Sequence, residues 1–197
     1  MIAGVNHPFY LLLRRILSVP LKWIFWIQGF RVTGRSHLPR RRSAAVVICN
    51  HAAFVDSIYL IIAIRPRFAI CGARPKYFVK RATRFLLRTA NILKVENEDQ
   101  FKEDCLSLLR AGEIILIYPE MGRNPGGMGR FRVWAAEIAL EADVPVIPCY
   151  LYGTTDGQTP PKRLIVGEPI RPSGDKRTLT RHFRETLESL KTGVGAV

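Results

Sequence analysis

The sequence predicts an α/β fold in which helices pack on a central mixed sheet. Short apolar runs rich in Val, Ile and Leu recur along the chain, and stretches with helical periodicity separate them. The chain of 197 residues, 48% of them hydrophobic, is long enough for one domain with a substantial core. We therefore predict a single folded domain over residues 43–197, preceded by an N-terminal segment of different character over residues 1–42.

The N-terminal segment combines positive charge with aromatic and aliphatic side chains. It contains eight Lys and Arg residues and no acidic residue. Its apolar run is broken by Pro20 and Lys22 and is shorter than the roughly 20 apolar residues that span a bilayer. This composition predicts a short amphipathic segment in the headgroup plane of a membrane rather than a signal peptide. The alternative is that the segment packs on the domain. The residues expected to contact lipid are Arg14, Arg15, Lys22, Trp23 and Trp26.

The formal net charge of +14 predicts an acidic partner, which could be anionic lipid, nucleic acid or an acidic carrier protein. The positive residues lie beside long aliphatic stretches, and no nucleic-acid-binding module is recognisable. We therefore expect an anionic membrane surface as the partner, and no nucleic acid.

The first half of the domain alternates between strand and helix. Residues 43–49 (SAAVVIC) form an apolar run that predicts a buried strand, and residues 54–64 are apolar nearly all round, as in a core helix. The pattern then predicts a strand over residues 68–72, a helix over residues 80–90 and a short strand over residues 92–95.

The second half contains the clearest helix, over residues 97–110. Asn97 caps its start, acidic residues in its first turn favour the positive end of the helix, and Gly112 ends it. The remaining predictions are strands at 113–118, 144–152 and 164–166, a helix at 131–141, and a C-terminal surface helix on which Leu179, Phe183, Leu187 and Leu190 share a face.

The four cysteines, at positions 49, 71, 105 and 149, are widely spaced and form no CxxC pair. This spacing argues against a zinc site and against a disulfide framework. Cys49 and Cys149 lie in apolar runs, where cysteine usually acts as a small core residue. We therefore expect a reduced protein that faces the cytoplasm.

His51 and Asp56 follow the first predicted strand, in the otherwise apolar stretch CNHAAFVDSIYL. On a continuous helix, side chains five residues apart point about 140° away from each other. If the strand ends near Asn50 and the helix begins near Phe54, the two side chains can meet. A carboxylate on one ring nitrogen then fixes the tautomer and leaves the other nitrogen as a general base for a hydroxyl. The alternative is a histidine that satisfies a buried aspartate for stability alone.

Three motifs in order resemble a known family. NHAAFVD at 50–56 resembles the NHxxxxD motif of the glycerolipid acyltransferases, the group that contains 1-acylglycerol-3-phosphate acyltransferase. IYPEMGR at 117–123 is similar to the FPEGTR block of that family, and residues 131–151 are similar to its closing helix and VPVIP strand. The resemblance covers roughly residues 30–170 and implies a single αβ acyltransferase domain.

The resemblance implies a reaction. His51 would deprotonate an acceptor hydroxyl, with Asp56 as its partner, and the hydroxyl would attack the thioester of acyl-CoA or acyl carrier protein. These acyl donors are co-substrates, and no cofactor or metal is implied. No GxSxG motif occurs, so the activated hydroxyl is expected to belong to the substrate. The implied acceptor is a lysolipid, 1-acylglycerol-3-phosphate, which gives phosphatidic acid at the cytoplasmic face of a membrane.

The resemblance also implies a set of acceptor-binding residues. Arg123 would contact the phosphate of the acceptor, Glu120 would organise the pocket, and Gly122 would permit close approach of the backbone. Arg74, Lys76 and Lys80 lie where the family has its acceptor-binding block. The alternatives are a solvated salt bridge within the turn for Glu120 and Arg123, and a solvated basic face for the others.

The sequence departs from the family pattern at three places. PEGTR becomes PEMGR, KVEN at 94–97 lacks the usual arginine, and Trp134 lies in the region where a glycine is usual. These departures leave open glycerol-3-phosphate, a lysophospholipid or a specialised lysolipid as the acceptor. A basic peripheral membrane protein without enzyme activity, or an inactive relative that acts as an adaptor, is the alternative outside the enzyme class.

Overall fold

The computed structural model describes residues 7–39, 43–65, 67–125, 127–154 and 162–193. Three arginines of the predicted N-terminal segment, at positions 40–42, and Gly126 in the loop after the PEMGR block lie outside the described residues. The strands are β1 (Arg31–Thr33), β2 (Ala45–Cys49), β3 (Ile70–Ala73), β4 (Ile92–Lys94), β5 (Ile114–Ile117), β6 (Val146–Tyr152) and β7 (Arg163–Val166). The α-helices are α1 (Pro8–Ile27), α2 (Asp56–Ala63), α3 (Arg81–Thr89), α4 (Glu98–Arg110), α5 (Trp134–Ala142) and α6 (Lys176–Thr192).

The seven strands form one sheet in the order β1-β7-β6-β2-β5-β3-β4. Neighbouring strands are parallel except β6 and β7, which pair antiparallel, so the predicted mixed sheet is confirmed. Strand β2 lies at the centre between β6 and β5, and every residue of β2 and β5 is buried. Full burial on both faces explains why these strands are continuous apolar runs rather than alternating ones.

Two hydrophobic cores lie on opposite faces of the sheet. One contains Phe101 of α4, Ile138 of α5 and Phe183 of α6. The other contains Tyr59 and Leu60 of α2. Helices therefore cover both faces of the sheet, and the α/β fold predicted from the alternation of strands and helices is confirmed.

The capping prediction for α4 is confirmed in detail. The Asn97 side chain accepts hydrogen bonds from the backbone amides of Asp99 and Gln100, at 2.8 and 3.4 Å. Gly112 follows the helix with φ of 83°, a left-handed conformation that glycine adopts readily. Helix α4 is followed by β5, and the loop after β5 contains Glu120.

Helix α1 runs without interruption through Pro20, the residue that divides its apolar run. Proline removes one backbone hydrogen bond from a helix interior, but packing holds α1 to the domain on both sides of it. Before Pro20, Arg14 bonds to the end of α3, and after it Phe25 stacks on Tyr59 of α2 with ring centroids 4.1 Å apart. Among the residues that the structure describes, no helix is long and apolar enough to cross a membrane.

The prediction for Arg14 requires a correction, because this residue was expected to face lipid. Its side chain is 3% exposed, and its Nε donates to the carbonyl oxygen of Thr89 at 2.7 Å. Its Nη2 donates to the carbonyl of Arg88 and to the side-chain oxygen of Asn91. Burial lowers the pKa of this guanidinium to about 10. Arg14 therefore fastens α1 to the carboxyl end of α3, where a cation also favours the helix dipole.

Strand β1 was not predicted. It lies within the N-terminal segment and pairs in parallel with β7 at the edge of the sheet. Gly34, which follows it, has φ of 72°, and an added Cβ there would lie 2.0 Å from the carbonyl oxygen of Val166. Part of the N-terminal segment is thus built into the sheet.

Candidate active site

The site lies at the carboxyl ends of two neighbouring parallel strands. Strand β2 ends at Cys49 and β5 ends at Ile117, and these strands pair through Ile48 and Ile117. The loops that follow them carry His51 and Glu120. Parallel strands deliver their following loops to one edge of a sheet, which is where ligands gather in this class of fold.

His51 and Asp56 are in contact. The Nδ1 atom of His51 lies 2.9 Å from Oδ2 of Asp56, and the aspartate is fully buried at the start of α2. The same oxygen accepts hydrogen bonds from the backbone amides of Ala52 and Ala53, each at 2.8 Å. Because this oxygen already accepts from two amides, Nδ1 of His51 is the donor toward it, and Nε2 of the neutral ring is left as an acceptor.

A tyrosine supports the imidazole ring. Tyr118 stacks on His51 with ring centroids 4.0 Å apart and an interplanar angle of 14°. The hydroxyl of Tyr118 lies 2.9 Å from Oγ of Ser57. Burial raises the pKa of the Tyr118 phenol well above its usual value, so the ring stays neutral at physiological pH. The stack and the Asp56 contact together fix the orientation of the histidine.

Glu120 connects the two loops. Its Oε1 accepts from the backbone amide of His51 at 3.1 Å, and its Oε2 accepts from the Asn124 side chain and the Gly129 amide at 2.6 Å each. The amide of Asn124 in turn donates to the His51 carbonyl at 2.7 Å. The Glu120 carboxylate thus accepts from two backbone amides and from the side-chain amide of Asn124, and not from the guanidinium of Arg123. This arrangement suits the organising role expected of Glu120.

Asn50 joins the histidine loop to the sheet. Its Nδ2 donates to the Leu151 carbonyl at 3.0 Å, and its Oδ1 accepts from the Leu151 amide at 2.8 Å. The side chain therefore continues the pairing of β2 with β6 by one step beyond the last strand residue. Asn50 is buried and holds the start of the loop in place.

Replacing Asn50 by alanine is expected to lower the free energy of unfolding by about 2 to 3 kcal/mol, because both backbone groups of Leu151 lose a buried partner. Urea denaturation followed by circular dichroism measures this loss. Asn50→Asp is not expected to restore stability, since a carboxylate oxygen would face the Leu151 carbonyl. A wild-type unfolding midpoint for Asn50→Ala would show that the pair contributes nothing.

The PEMGR turn places a non-glycine residue in a left-handed conformation. Met121 has φ of 54°, while Gly122 after it is not in this region. The shift of the glycine by one place therefore leaves methionine at the position that favours glycine. A Cβ added to Gly122 would meet nothing within 4 Å, so the space beside this residue is open.

A large apolar cavity of about 960 Å³ opens beside His51. Its walls include Leu17 and Leu21 of α1, Ile58 and Ile61 of α2, and Leu87 of α3. A volume of this size can hold a long hydrocarbon chain. The histidine thus lies where a polar head and an apolar tail of one ligand could be bound together.

Three of the predicted basic residues line this cavity. They are Arg74, Lys76 and Arg123, and all three are exposed at its mouth. Arg74 donates to the Met121 carbonyl at 3.5 Å, and the Lys76 ammonium lies 5.2 Å from the Tyr77 ring centroid. Lys80 precedes α3 and is exposed, but it is not among the residues that line the cavity. The structure therefore brings three of the four cations to the site.

The cysteines are buried, and their thiols stay protonated. Burial raises the pKa of Cys71, Cys105 and Cys149 to about 12 each, and raises that of Cys49 as well. A thiol with a raised pKa is a poor nucleophile at neutral pH. None of these four residues is therefore suited to carry an acyl group during the reaction.

Sequence reasoning missed Tyr118, Ser57 and Asn124. Tyr118 reads in the sequence as the last apolar residue of a buried strand, and nothing in the pattern shows that its ring lies on His51. The position of Asn124 directly after the PEMGR block could have indicated a role in the site. Its hydrogen bonds to Glu120 and to the His51 carbonyl, however, depend on the fold.

Comparison with known proteins gives a consistent result. The profile of the Acyltransferase family matches residues 29–152. A chloroplastic 1-acyl-sn-glycerol-3-phosphate acyltransferase of Arabidopsis thaliana is 26% identical over 165 residues, which cover 76% of this chain and 46% of that protein. The 1-acyl-sn-glycerol-3-phosphate acyltransferase of Bacillus subtilis is 28% identical over 149 residues, 72% of this chain and 74% of that protein. The chain thus spans about half the length of the plant relative.

A solved structure has the same fold. The crystal structure of the 1-acyl-sn-glycerophosphate acyltransferase of Thermotoga maritima matches with a TM-score of 0.72 and 19% sequence identity. The match covers 100% of this chain and 91% of that one.

Proposed function

The chain belongs to the Acyltransferase family, and from this membership we propose that it transfers a fatty acyl group from a thioester to the free hydroxyl of 1-acylglycerol-3-phosphate. The product would be phosphatidic acid. The observation that carries the proposal is the contact between His51 and Asp56 at the mouth of an apolar cavity that Arg123 also lines. The names of the relatives support this acceptor.

The proposed reaction is a direct transfer. Nε2 of His51 takes the proton of the acceptor hydroxyl while the oxygen attacks the thioester carbonyl carbon. The tetrahedral intermediate then collapses, the carbon–sulfur bond breaks, and the imidazolium returns the proton to the leaving thiolate. Asp56 stabilises the imidazolium between these two steps. The thioester belongs to acyl-CoA or to acyl carrier protein, both of which stay within the proposal.

The intermediate carries an oxyanion that needs hydrogen-bond donors. In the PEMGR turn, the amides of Met121 and Asn124 donate to the carbonyls of Tyr118 and His51. The amides of Gly122 and Arg123 donate to no other residue in the part of the chain that the structure describes. These two amides are the proposed oxyanion donors.

The proposed function is tested with purified protein, isotope-labelled acyl-CoA or acyl carrier protein, and a panel of acceptors. The panel contains 1-acylglycerol-3-phosphate, glycerol-3-phosphate and a lysophospholipid without a terminal phosphate. Mass spectrometry is expected to show phosphatidic acid as the main product. Preferred acylation of another acceptor would replace the proposed substrate, and no product with any pair would contradict the enzyme assignment.

Arg123→Ala is expected to raise the apparent KM for the phosphorylated acceptor by about 10- to 100-fold, because a charge-assisted hydrogen bond to phosphate is lost. The apparent KM for the acyl donor should change little. Arg130→Ala is the matched control, since Arg130 is exposed in the following loop and does not line the cavity. Equal effects on both substrates would indicate a structural role for Arg123.

We propose that helix α1 holds the enzyme on an anionic membrane surface, at the cytoplasmic face. Its exposed residues include Trp23 at 59%, Trp26 at 58% and Ile27 at 75%. Arg15 and Lys22 are also exposed and can approach anionic lipid. Such a mixture of cations and aromatic side chains suits the headgroup region.

In vesicle flotation, Arg15→Gln with Lys22→Gln should weaken binding to anionic vesicles, because each cation near such a surface contributes about 1 kcal/mol. Trp23→Ser with Trp26→Ser should weaken binding to neutral vesicles as well. Added salt should reduce wild-type binding without abolishing it, since the apolar contribution is not screened. Wild-type protein that stays unbound under every lipid composition would contradict the proposal.

A further inference from the structure

Helix α3 and the residues before it carry a basic surface, and of its cations only Lys76 lines the cavity. Between Asp56 and Glu96 the sequence contains nine Lys and Arg residues and no acidic residue. Five of these cations are exposed between the start of the short 3₁₀ turn Pro75–Phe78 and the end of α3, namely Lys76, Lys80, Arg81, Arg84 and Arg88. Within the described ranges, none of the five forms an ion pair. An unpaired cationic surface of this kind is complementary to an anionic partner.

The same surface exposes large apolar side chains. Val79 is 73% exposed, Leu86 is 54% exposed and Phe85 is 48% exposed. Isolated exposed apolar residues are common on proteins, but here three of them lie among five cations within 13 residues, positions 76–88. Cations interleaved with exposed apolar side chains are typical of a segment that lies in a lipid headgroup region.

This surface is continuous with α1. The Tyr10 ring of α1 lies 6.1 Å from the Phe85 ring, and Arg14 of α1 donates to the carbonyls of Arg88 and Thr89. Leu17 of α1 and Leu86 of α3 both line the cavity and are both partly exposed. The two helices are therefore fixed to each other beside the opening of the cavity.

We propose that α3, together with the turn that precedes it, is a second membrane-binding element, and that its partner is a bilayer rich in anionic lipid. The inference rests on the proposed association of α1 with the membrane and extends it to the catalytic domain itself. With both helices in the headgroup region, Leu17 and Leu86 form an apolar rim between the lipid and the cavity. A lipid acceptor then reaches His51 along this rim without passing through bulk water.

A fluorescent label tests the position of α3. The four native cysteines are buried, so a thiol-reactive, environment-sensitive dye reacts first with an introduced cysteine. Val79→Cys reports on the residues just before α3, Trp23→Cys reports on α1, and Ser189→Cys on the exposed side of α6 is the control. Each labelled protein is mixed with vesicles of phosphatidylcholine and phosphatidylglycerol, and with vesicles of phosphatidylcholine alone.

The labels at Val79→Cys and Trp23→Cys are expected to shift to shorter emission wavelength on the anionic vesicles, while the label at Ser189→Cys stays unchanged. A shift at Trp23→Cys without one at Val79→Cys would overturn the role of α3 and leave the proposal for α1 intact. No shift at either position would overturn both. Acyl transfer in detergent micelles measures the proposed reaction independently of all three labels.

Two charge-matched variants give a second test. Arg81→Gln with Arg88→Gln removes two exposed cations from α3, and Arg177→Gln with Arg181→Gln removes two from α6 on the opposite face of the sheet. The α3 variant is expected to lose on the order of tenfold in affinity for anionic vesicles. The α6 variant should bind like the wild type. Equal losses for the two variants would show that net charge alone drives binding, and the proposal that α3 binds the membrane would then be rejected.

Discussion

His51→Ala is expected to lower the turnover number for acyl transfer by about 100- to 10,000-fold, which is the usual contribution of a positioned general base. We expect the loss to fall at the upper end, because in the described part of the chain the nearby carboxylates of Asp56 and Glu120 are buried and already accept hydrogen bonds from the two loops. Asp56 is fully buried behind the ring, and Tyr118 stays protonated. The rate of product formation with labelled donor measures the effect.

The fold of this variant is expected to remain intact, since the histidine side chain is 17% exposed and no core cluster contains it. Circular dichroism and the thermal unfolding midpoint check this. His182→Ala is the matched control, because His182 is exposed on α6, away from the cavity. Near wild-type turnover by His51→Ala would refute the proposed mechanism.

Asp56→Asn is expected to lower turnover by on the order of 100-fold or more, by analogy with catalytic triads in which the aspartate orients a histidine. The amide oxygen of asparagine can still accept from the Ala52 and Ala53 amides, so the loop keeps its shape. What is lost is the negative charge that stabilises the imidazolium. The same assay, performed at saturating acceptor, measures this change.

The double variant His51→Ala with Asp56→Asn separates two explanations. If Asp56 acts through His51, the double variant should be no slower than His51→Ala alone, because residues that act as a unit give non-additive losses. A further loss equal to that of Asp56→Asn would assign the aspartate an independent role. Asp56→Asn that turns over like the wild type would remove it from the mechanism.

The strands and helices of the catalytic domain were predictable because they carry their signals in their own residues. Strands such as β2 and β5 read as continuous apolar runs, and α4 carries its own cap at Asn97. The predicted and observed ends of the elements differ by a few residues; for example, α2 begins at Asp56 rather than near Phe54. Strand β1 was missed because it has only three residues and pairs with a partner more than 130 positions away.

The charged residues of α1 show what a sequence cannot resolve. Arg14 and Arg15 are neighbours in one basic run, yet Arg14 is 3% exposed and Arg15 is exposed. The difference arises from the carbonyls of Arg88 and Thr89, which lie 74 and 75 residues away in the chain. Local pattern contains no information about such a contact.

The candidate site follows the same rule. The contact between His51 and Asp56 was predicted because only four residues lie between them in the chain, so local geometry decides it. The stack of Tyr118 on His51 and the bonds from Glu120 join β5 to β2, and these depend on the order of strands in the sheet. Contacts across neighbouring strands therefore had to come from the structure.

The position of α1 beside the cavity has a thermodynamic consequence. Leu17, Ser18 and Leu21 form part of the cavity wall, while Arg14 fixes the same helix to α3. A ligand that fills the cavity therefore interacts with α1 as well as with the domain. Ligand binding and the packing of α1 on the domain are two coupled equilibria, and such coupling is reciprocal. If the packed helix raises the affinity for the ligand by some factor, the bound ligand raises the equilibrium constant for helix packing by the same factor. Release of the product would then lower the equilibrium constant for packing of α1 on the domain by that same factor.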